Sequence, residues 1–444
     1  MKKILSVLLM TVTIQTVYSQ KTTTEKMDEL LRASTNAYRF NGSALVSKQG
    51  KILLEKGYGW KNIQDSLLND NATIYQIASV TKQFTSAIIF KMIDLKKISL
   101  NDRISRFYPD FLKGDSISIE NLLTHTSGIN DQLCGSPTAP LQGERALLDS
   151  IQKSSLAFSP GTQFMYSNKG YQLLGYIIQR VSGMTYYETV RKYIFTPLNM
   201  TSSGFDFVHL ANNNKATGYY YLSDTAKHPA SIIDSSASFS AGSIYSTAGD
   251  LYKWLDGIGT YKIITKTSLE KACTPFVNPH YGYGWTIDTL FNKRVISHGG
   301  DIWGFNSLVA SIPEDDIHIV LLENAEDIDD THHILKKIVA ILYNQPYHLP
   351  AKNEVRLSRE ILNKYIGSYE MQPGMAIKVE LENGHLTATG GRKQELYSLK
   401  ENVFNLDDGY NQTEIQFGVD ESGIISDLSF YKNGKKIICK KIRQ

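Results

Sequence analysis

Ser79-Val-Thr-Lys82 combines residue types and a spacing that could support nucleophilic catalysis. A serine hydroxyl is a weak nucleophile until a neighbouring base removes its proton. Residues three apart lie on the same face of a helix, so the Lys82 amine can reach the Ser79 oxygen. The same spacing begins at Ser150, Ser268 and Ser429, but only Ser79 opens a long run of apolar residues at helical spacing. The pattern predicts a nucleophile and a base at the start of a helix.

A second stretch, Tyr166-Ser-Asn168, follows the turn-forming pair Pro160-Gly161 and precedes an apolar helical pattern. A phenol with its ordinary pKa near 10 is a feeble base. A buried cationic neighbour lowers that pKa, and the amine loses its own proton more easily when it is desolvated. Tyr166 and Lys82 could therefore share one proton.

The third stretch, His298-Gly299-Gly300-Asp301, follows a strand-like run that begins at Arg294. Two glycines at a strand edge let a substrate approach the backbone closely. The backbone N–H just after them can point at an oxyanion. The glycines are compatible with a substrate-binding strand edge, whereas a histidine such as His298 is by itself more often a packed or surface residue.

In this order, the three stretches closely resemble motifs of the serine β-lactamase and penicillin-binding-protein superfamily. The resemblance is to its branch of class C β-lactamases, D-Ala-D-Ala carboxypeptidases and esterases, and it covers roughly residues 25–345. Further matching stretches are Tyr75–Ser79, Leu122–Ile129, Pro197–Met200, Ser240–Thr247 and Tyr281–Trp285.

The resemblance implies a role for each residue of the first two stretches. Ser79 would be the acylated nucleophile and Lys82 the adjacent base. Tyr166 would carry a proton to the leaving group, and Asn168 would hold Lys82 and the substrate amide. No cofactor and no metal ion are implied.

The resemblance also implies roles on the third stretch. His298, Gly299 and Gly300 would bind substrate, and the backbone N–H groups of Ser79 and Asp301 would form the oxyanion hole. Lactamases usually read Lys-Thr-Gly here and grip a substrate carboxylate with the cation and the hydroxyl. An unperturbed histidine is only about a quarter protonated at pH 7, and glycine has no hydroxyl. We therefore expect weak carboxylate recognition, which favours an esterase, amidase or peptidase.

The elements that must position these residues follow from the same resemblance. It implies an α+β, β-lactamase/transpeptidase-like fold, with an antiparallel sheet flanked by helices and an additional helical region. Residues 43–56 read as two strands joined by a tight turn at Gln49-Gly50. Helical patterns cover residues 79–96, 170–181 and 186–193, and strand-like runs cover residues 295–297, 307–311 and 317–322.

The pattern changes near the C-terminus. Residues 346–357 read as a linker between a hydrolase domain at 20–345 and a small antiparallel β barrel or sandwich at 358–444. The short alternating runs beyond the linker are separated by dipeptides that favour hairpin turns, namely Asn383-Gly384, Asp408-Gly409, Ser422-Gly423 and Asn433-Gly434. This β domain carries no catalytic pattern, which leaves contact with a protein or the cell wall as its expected role.

Residues 1–19 have a basic start, an apolar stretch and small residues before Gln20. This composition is typical of a signal peptide cleaved after Ser19. We therefore expect an exported protein, periplasmic or extracellular, without a stable membrane anchor after cleavage.

Composition excludes other classes of function. The chain has 444 residues, 42% of them hydrophobic, and a net charge of +3 to which Lys2 and Lys3 contribute two. The remainder is close to neutral, which gives no electrostatic footprint for nucleic acid. Cys134, Cys273 and Cys439 are too few and too far apart for a disulfide framework, which leaves a single bridge as the alternative to free thiols. His332-His333 lacks a companion metal-binding pattern and is expected to be ordinary surface.

The leading hypothesis is a serine hydrolase that acts through an acyl-enzyme at Ser79 on an ester, an amide or a D-amino-acid peptide. One alternative is a true class C-like β-lactamase. The other is a non-catalytic penicillin-binding or sensor protein that keeps the fold.

Overall fold

The computed structural model describes residues 21–130, 143–222, 227–326, 331–350, 355, 357–372, 374–382, 385–390, 393–407, 412–432 and 435–442. The predicted signal peptide and Cys134 lie outside these residues. None of the described helices has the length and apolar character needed to cross a membrane.

The larger part of the chain is built on a six-stranded antiparallel sheet, with strand order β2-β1-β12-β11-β10-β9. Three two-stranded pairs, β3-β4, β5-β8 and β6-β7, lie outside it. The strands are β1 (Gly42–Lys48), β2 (Lys51–Tyr58), β3 (Trp60–Asn62), β4 (Leu67–Leu68), β5 (Tyr75–Gln76), β6 (Tyr219–Leu222), β7 (Lys227–Pro229), β8 (Tyr245–Ser246), β9 (Thr286–Leu290), β10 (Lys293–Ile302), β11 (Phe305–Ile312) and β12 (Ile317–Glu323).

Helices cover both faces of this sheet. They are α1 (Thr23–Asn36), α2 (Thr81–Asp94), α3 (Ile119–Leu123), α4 (Gly143–Lys153), α5 (Asn168–Ser182), α6 (Tyr186–Val190), α7 (Ser235–Gly242), α8 (Ala248–Gly259), α9 (Lys266–Ala272) and α10 (Thr331–Leu342). Shorter 3-10 turns are Ala78–Val80, Ile104–Arg106 and Pro313–Asp315, and a π turn spans Arg191–Phe195.

The alternation of side chains along the strands separates two cores. On β12, Ile319 and Leu321 pack with α1 and α10 on one face, whereas Val320 and Leu322 join the larger core on the other face. Successive residues of a strand point to opposite faces, so a strand buried on both sides is apolar throughout. The predicted antiparallel sheet flanked by helices is confirmed.

Helix α2 differs from its sequence prediction. The apolar spacing after Ser79 predicts an amphipathic helix, but most of α2 is buried on every side, including Lys82, Thr85 and Ser86. These polar side chains are compatible with burial because each has hydrogen-bond partners in the protein. Helix α2 is therefore the central element of the larger core.

Beyond residue 357 the chain forms a short helix and a closed barrel of eight antiparallel strands. The elements are α11 (Arg359–Asn363), β13 (Gly367–Gln372), β14 (Met375–Glu382), β15 (His385–Thr389), β16 (Lys393–Lys400), β17 (Val403–Asp407), β18 (Gln412–Val419), β19 (Ile425–Lys432) and β20 (Lys435–Lys441). Of the two predicted architectures, the barrel is confirmed. The predicted turns at Asn383-Gly384, Asp408-Gly409 and Asn433-Gly434 lie outside the described residues.

The barrel contacts the larger part of the chain through a cluster of polar and aromatic groups. The guanidinium carbon of Arg39 lies 3.1 Å from the centre of the Tyr397 ring on β16. Both side chains are buried. His333 at the start of α10 lies 3.4 Å from the Glu395 carboxylate. The predicted assignment of His333 to ordinary surface is wrong, because it is a contact between the barrel and the rest of the protein.

Candidate active site

Ser79 lies in the 3-10 turn that connects β5 to α2. Its side chain is partly exposed, whereas the flanking Ala78 and Val80 are buried. Ala78 has a φ of +44°, a conformation that residues other than glycine rarely adopt. This bend lets the chain leave the strand sharply and presents Ser79 at the start of the buried helix.

Lys82 follows one turn later and has no exposed surface. Its Nζ lies 2.9 Å from Ser79 Oγ, 2.8 Å from Asn168 Oδ1 and 2.8 Å from the carbonyl oxygen of Ala241. A buried amine is costly unless its hydrogen bonds are made, and these three partners make them. In its neutral form the amine can donate to the Asn168 and Ala241 oxygens and accept the Ser79 proton on its lone pair.

The Ala241 carbonyl is aimed at Lys82 by an irregular helix. Phe239, inside α7, has φ 40° and ψ −135°, which breaks the helical path. The next two carbonyls turn toward α2: Ser240 accepts from the Thr85 hydroxyl at 2.6 Å, and Ala241 accepts from Lys82. Because of the kink, carbonyl groups of α7 accept hydrogen bonds from side chains of α2.

Tyr166 and Asn168 flank the N-terminus of α5. Ser167 is the N-cap, and its side chain accepts from the N–H of Gly170, as expected of serine at this position. The ring of Tyr166 lies 4.7 Å from Lys82 Nζ and packs against His125, with ring centres 4.2 Å apart and the ring planes tilted by 32°. The structure therefore brings the first two predicted stretches together around Lys82.

The strand β10 brings the third stretch to the same place. Its pairing with β9 ends at Ser297, and its pairing with β11 continues to Ile302. A Cβ atom on Gly300 would lie 2.3 Å from the Ile77 carbonyl oxygen and 3.0 Å from the Ser79 nitrogen. The sequence predicts glycine here for close approach of a substrate. The group that approaches Gly300 closely is the backbone of the nucleophile turn itself.

His298 is joined to two side chains that received no role from the sequence. The Tyr281 hydroxyl lies 3.0 Å from His298 Nε2 and 3.2 Å from His125 Nε2. The other nitrogen of His125, Nδ1, accepts from the backbone N–H of Ser167 at 3.0 Å. His298 Nδ1 lies 2.6 Å from the Gly299 carbonyl oxygen. His125 and Tyr281 stand inside the matching stretches Leu122–Ile129 and Tyr281–Trp285, which is the signal that could have identified them.

Burial keeps this group of residues uncharged. Burial and the nearby charge of Lys82 lower the pKa of His298 from 6.5 to about 4, and the same causes hold the pKa of His125 well below its ordinary value. Burial also raises the pKa of Tyr281 well above 10. The lowered pKa leaves His298 less protonated at pH 7 than an unperturbed histidine.

His332 at the start of α10 borders the same strand. Its Cε1 would lie 3.6 Å from a Cβ atom on Gly299, an ordinary van der Waals distance. Asp301 is exposed next to Gly300. Among the residues the structure describes, no group of three histidine, cysteine or acidic side chains could hold a metal ion, and Cys273 and Cys439 are free thiols.

Comparison with known proteins places this arrangement in a family. Residues 27–343 match the family model described as beta-lactamase, and residues 351–440 match a domain of unknown function. The chain belongs to the beta-lactamase family. This family contains serine hydrolases, and the relatives of this chain include penicillin-binding proteins.

Among its family relatives, penicillin-binding protein 4* of Bacillus subtilis is 27% identical over 90% of this chain and 94% of its own length. The octameric penicillin-binding protein homologue of Pyrococcus abyssi has a TM-score of 0.67 at 24% identity, over 93% of this chain and 99% of that one. D-amino acid amidase from Ochrobactrum anthropi has a TM-score of 0.64 at 20% identity, over 72% of this chain and 99% of its own. The two structural neighbours show a shared fold.

Proposed function

We propose that this protein is a serine acyl hydrolase that forms an ester intermediate on Ser79. The observation that carries the proposal is the 2.9 Å distance between Ser79 Oγ and the fully buried Lys82 Nζ. A nucleophile and a base within hydrogen-bond reach, with the base oriented by further groups, is the arrangement that covalent catalysis needs. Asn168 and the Ala241 carbonyl orient Lys82.

The proposed reaction has two halves. Lys82 takes the proton of Ser79 as the oxygen attacks the acyl carbon, and the leaving group departs with a proton delivered through Tyr166. Water then attacks the ester and releases the acid. The backbone N–H groups of Ser79 and Asp301 would stabilise the oxyanion, which is consistent with the close approach of β10 at Gly300.

The proposed substrate is a small ester, an amide or a D-amino-acid peptide. Two comparisons support this range, since one relative is named a penicillin-binding protein and one structural neighbour a D-amino acid amidase. The low pKa of His298 argues against efficient β-lactam hydrolysis, because an uncharged His298 would not grip the substrate carboxylate. We further propose that the protein is exported and that its barrel contacts a partner protein or the cell wall.

A fluorophosphonate probe followed by peptide mass spectrometry tests the nucleophile. We expect the added mass on the peptide that contains Ser79, and turnover of chromogenic esters that is abolished in Ser79→Ala. A peptide that stays unlabelled under conditions that label an active serine esterase would contradict the proposal. Acylation without release would instead favour a sensor, and rapid nitrocefin hydrolysis a true β-lactamase.

Lys82→Met tests the base. We expect the turnover rate to fall about 10²- to 10⁴-fold, the range that general acid–base groups contribute. Lys91→Met is the matched control, because Lys91 lies on the same helix and is only half-buried. Near-normal rates in a folded Lys82→Met protein would refute the role of Lys82.

A further inference from the structure

We propose that His125 and Tyr281 are positioning residues that hold His298 in one neutral tautomer, so that His298 supports the Gly299–Gly300 backbone and offers no hydrogen to a substrate carboxylate. The structural part of this proposal stands on hydrogen-bond geometry. Its consequence for substrate choice rests on the proposed acyl hydrolase function.

The donors and acceptors of these hydrogen bonds can be assigned by starting from the backbone N–H of Ser167. A backbone N–H can only donate, so the nitrogen that receives it, Nδ1 of His125, carries no hydrogen. The hydrogen of neutral His125 is then on Nε2 and points at the Tyr281 oxygen, 3.2 Å away. The geometry excludes the imidazolium form of His125, since that form would place two hydrogens face to face.

The Tyr281 hydroxyl connects His125 to His298. Its oxygen accepts from His125, and its single hydrogen lies toward His298 Nε2 at 3.0 Å. Tyr171, whose hydroxyl donates to the Leu123 carbonyl at 2.7 Å, is a second nearby acceptor for this hydrogen. The contact that makes Nε2 of neutral His298 an acceptor is therefore the one that its other ring nitrogen makes.

The hydrogen of neutral His298 is on Nδ1. This nitrogen lies 2.6 Å from the Gly299 carbonyl oxygen, which can only accept, so Nδ1 must donate. Both ring nitrogens are thus committed to the protein. The ring stabilises the strand just before Gly300, where the backbone of β10 meets the nucleophile turn.

Charged groups around His298 also favour its neutral form. Lys82 and His332 each lower the pKa of His298 through their charge. The further titratable groups near the ring, on the elements packed against it and on its own strand, are His125, Tyr166, Tyr171, Tyr281 and Asp301. Burial is the largest cause of the lowered pKa of His298, whereas the hydrogen bond to the Gly299 carbonyl acts against it.

Nitrogen NMR of the full chain labelled with ¹⁵N-histidine tests the tautomers at pH 7. We expect hydrogen on Nδ1 alone for His298 and on Nε2 alone for His125, with signals assigned through His298→Gln and His125→Gln. Hydrogen on Nε2 of His298, or a charged ring, would overturn the proposal. Neutron crystallography of the unaltered protein locates the same hydrogens if the variants do not fold.

Tyr281→Phe removes the link between the two histidines. We expect His298 to lose its single tautomer, to gain a proton at higher pH than in the unaltered protein, and Ser79 labelling to slow about tenfold or more, the effect of one misplaced polar contact. Tyr369→Phe is the control, since Tyr369 is also buried and donates to the Tyr365 carbonyl, but within the barrel. An unchanged His298 spectrum in folded Tyr281→Phe would contradict the proposal.

The substrate consequence is tested with an acyl-D-Ala-D-Ala peptide and its C-terminal amide. We expect kcat/KM to favour the uncharged amide about tenfold or more, the size of a missing hydrogen bond to a charged group. A preference for the free carboxylate would overturn this part. If the unaltered protein shows no Ser79 labelling at all, the proposed function fails, while the NMR result still decides the tautomers.

Discussion

At the scale of single residues, three of the described residues with positive φ lie near the candidate nucleophile. Ala78 precedes Ser79, His125 contacts Tyr281, and Phe239 lies two residues before Ala241, whose carbonyl accepts from Lys82. Such conformations cost about 1–3 kcal/mol each and persist only where the surroundings over-determine them. Here the surroundings are a buried helix and its hydrogen-bond partners.

The buried histidines predict how stability depends on pH. His298 has a folded-state pKa of about 4, below its ordinary value of 6.5, so the unfolded chain binds more protons between these values. The free energy of unfolding should therefore rise with pH across this window and fall as the pH drops from 6.5 toward 4. The contribution of His298 is about 3 kcal/mol.

Chemical denaturation across this pH range measures the effect. His298→Gln should make the dependence less steep, although His125 still contributes to it. His280→Gln should leave its shape unchanged, because His280 is an exposed surface residue. An equally steep profile in His298→Gln would show that other groups cause it.

Gly300→Ala tests the close approach of β10 to the nucleophile. The new Cβ would lie 2.3 Å from the Ile77 carbonyl oxygen, so the strand must shift away from Ser79. We expect Ser79 labelling to slow about 10²-fold, as small misplacements of reacting groups do.

Gly299→Ala is the matched comparison for stability. Its Cβ would meet its nearest neighbours at 3.6 and 3.7 Å, so the free energy of unfolding should stay the same or rise slightly. A loss in the free energy of unfolding of Gly299→Ala as large as that of Gly300→Ala would argue against the steric explanation.

At the scale of elements, the site depends on how α7 packs against α2. The kink at Phe239 turns the carbonyls of the next two residues away from the helix axis, and side chains of α2 donate hydrogen bonds to them. A buried carbonyl without a partner is costly, so the two helices are tied together by polar contacts inside an apolar core. The position of Lys82 thus follows from the packing of these helices.

Thr85→Val preserves the shape of the side chain but removes its hydroxyl, which donates to the Ser240 carbonyl and contacts the Tyr186 hydroxyl at 2.8 Å. The buried Ser240 carbonyl would lose its hydroxyl donor, and we expect a loss of about 1–3 kcal/mol in the free energy of unfolding. Thr274→Val is the control, because its hydroxyl donates to the Glu270 carbonyl in an exposed position. A change below about 0.5 kcal/mol in both variants would contradict the argument.

At the scale of the whole molecule, the two histidines that begin α10 face different partners. His332 borders Gly299 on the site strand, and His333 contacts Glu395 of the barrel. The buried Arg39 guanidinium lies against the ring of Tyr397 in the same junction. One helix end therefore connects the barrel to the site strand.

Tyr397→Ala tests this connection. Loss of the buried ring should lower the free energy of unfolding by about 3 kcal/mol, because large-to-small changes leave a cavity and Arg39 loses its aromatic partner. Amide hydrogen exchange should rise at the start of α10 and on β16. Tyr431→Ala on the barrel exterior, where Tyr431 is 64% exposed, should change neither.

The amino-acid sequence by itself determined the local features. The Ser79 to Lys82 spacing, the cap of α5 and the glycines of β10 are set by a few adjacent residues, and the order of the stretches identified the family. Hairpin signals likewise indicated the C-terminal β domain, although they could not distinguish a barrel from a sandwich, because closure depends on pairing between its first and last strands.

Only the tertiary structure decided which distant groups meet. His125 and Tyr281 are 156 residues apart in the sequence. No local pattern predicts that the Tyr281 hydroxyl forms hydrogen bonds with both His125 and His298. The burial of Lys82 on all sides and the charge state of His298 likewise depend on the whole core around them. Solvation and long-range packing are properties of the folded chain, so these features could be read only from the structure.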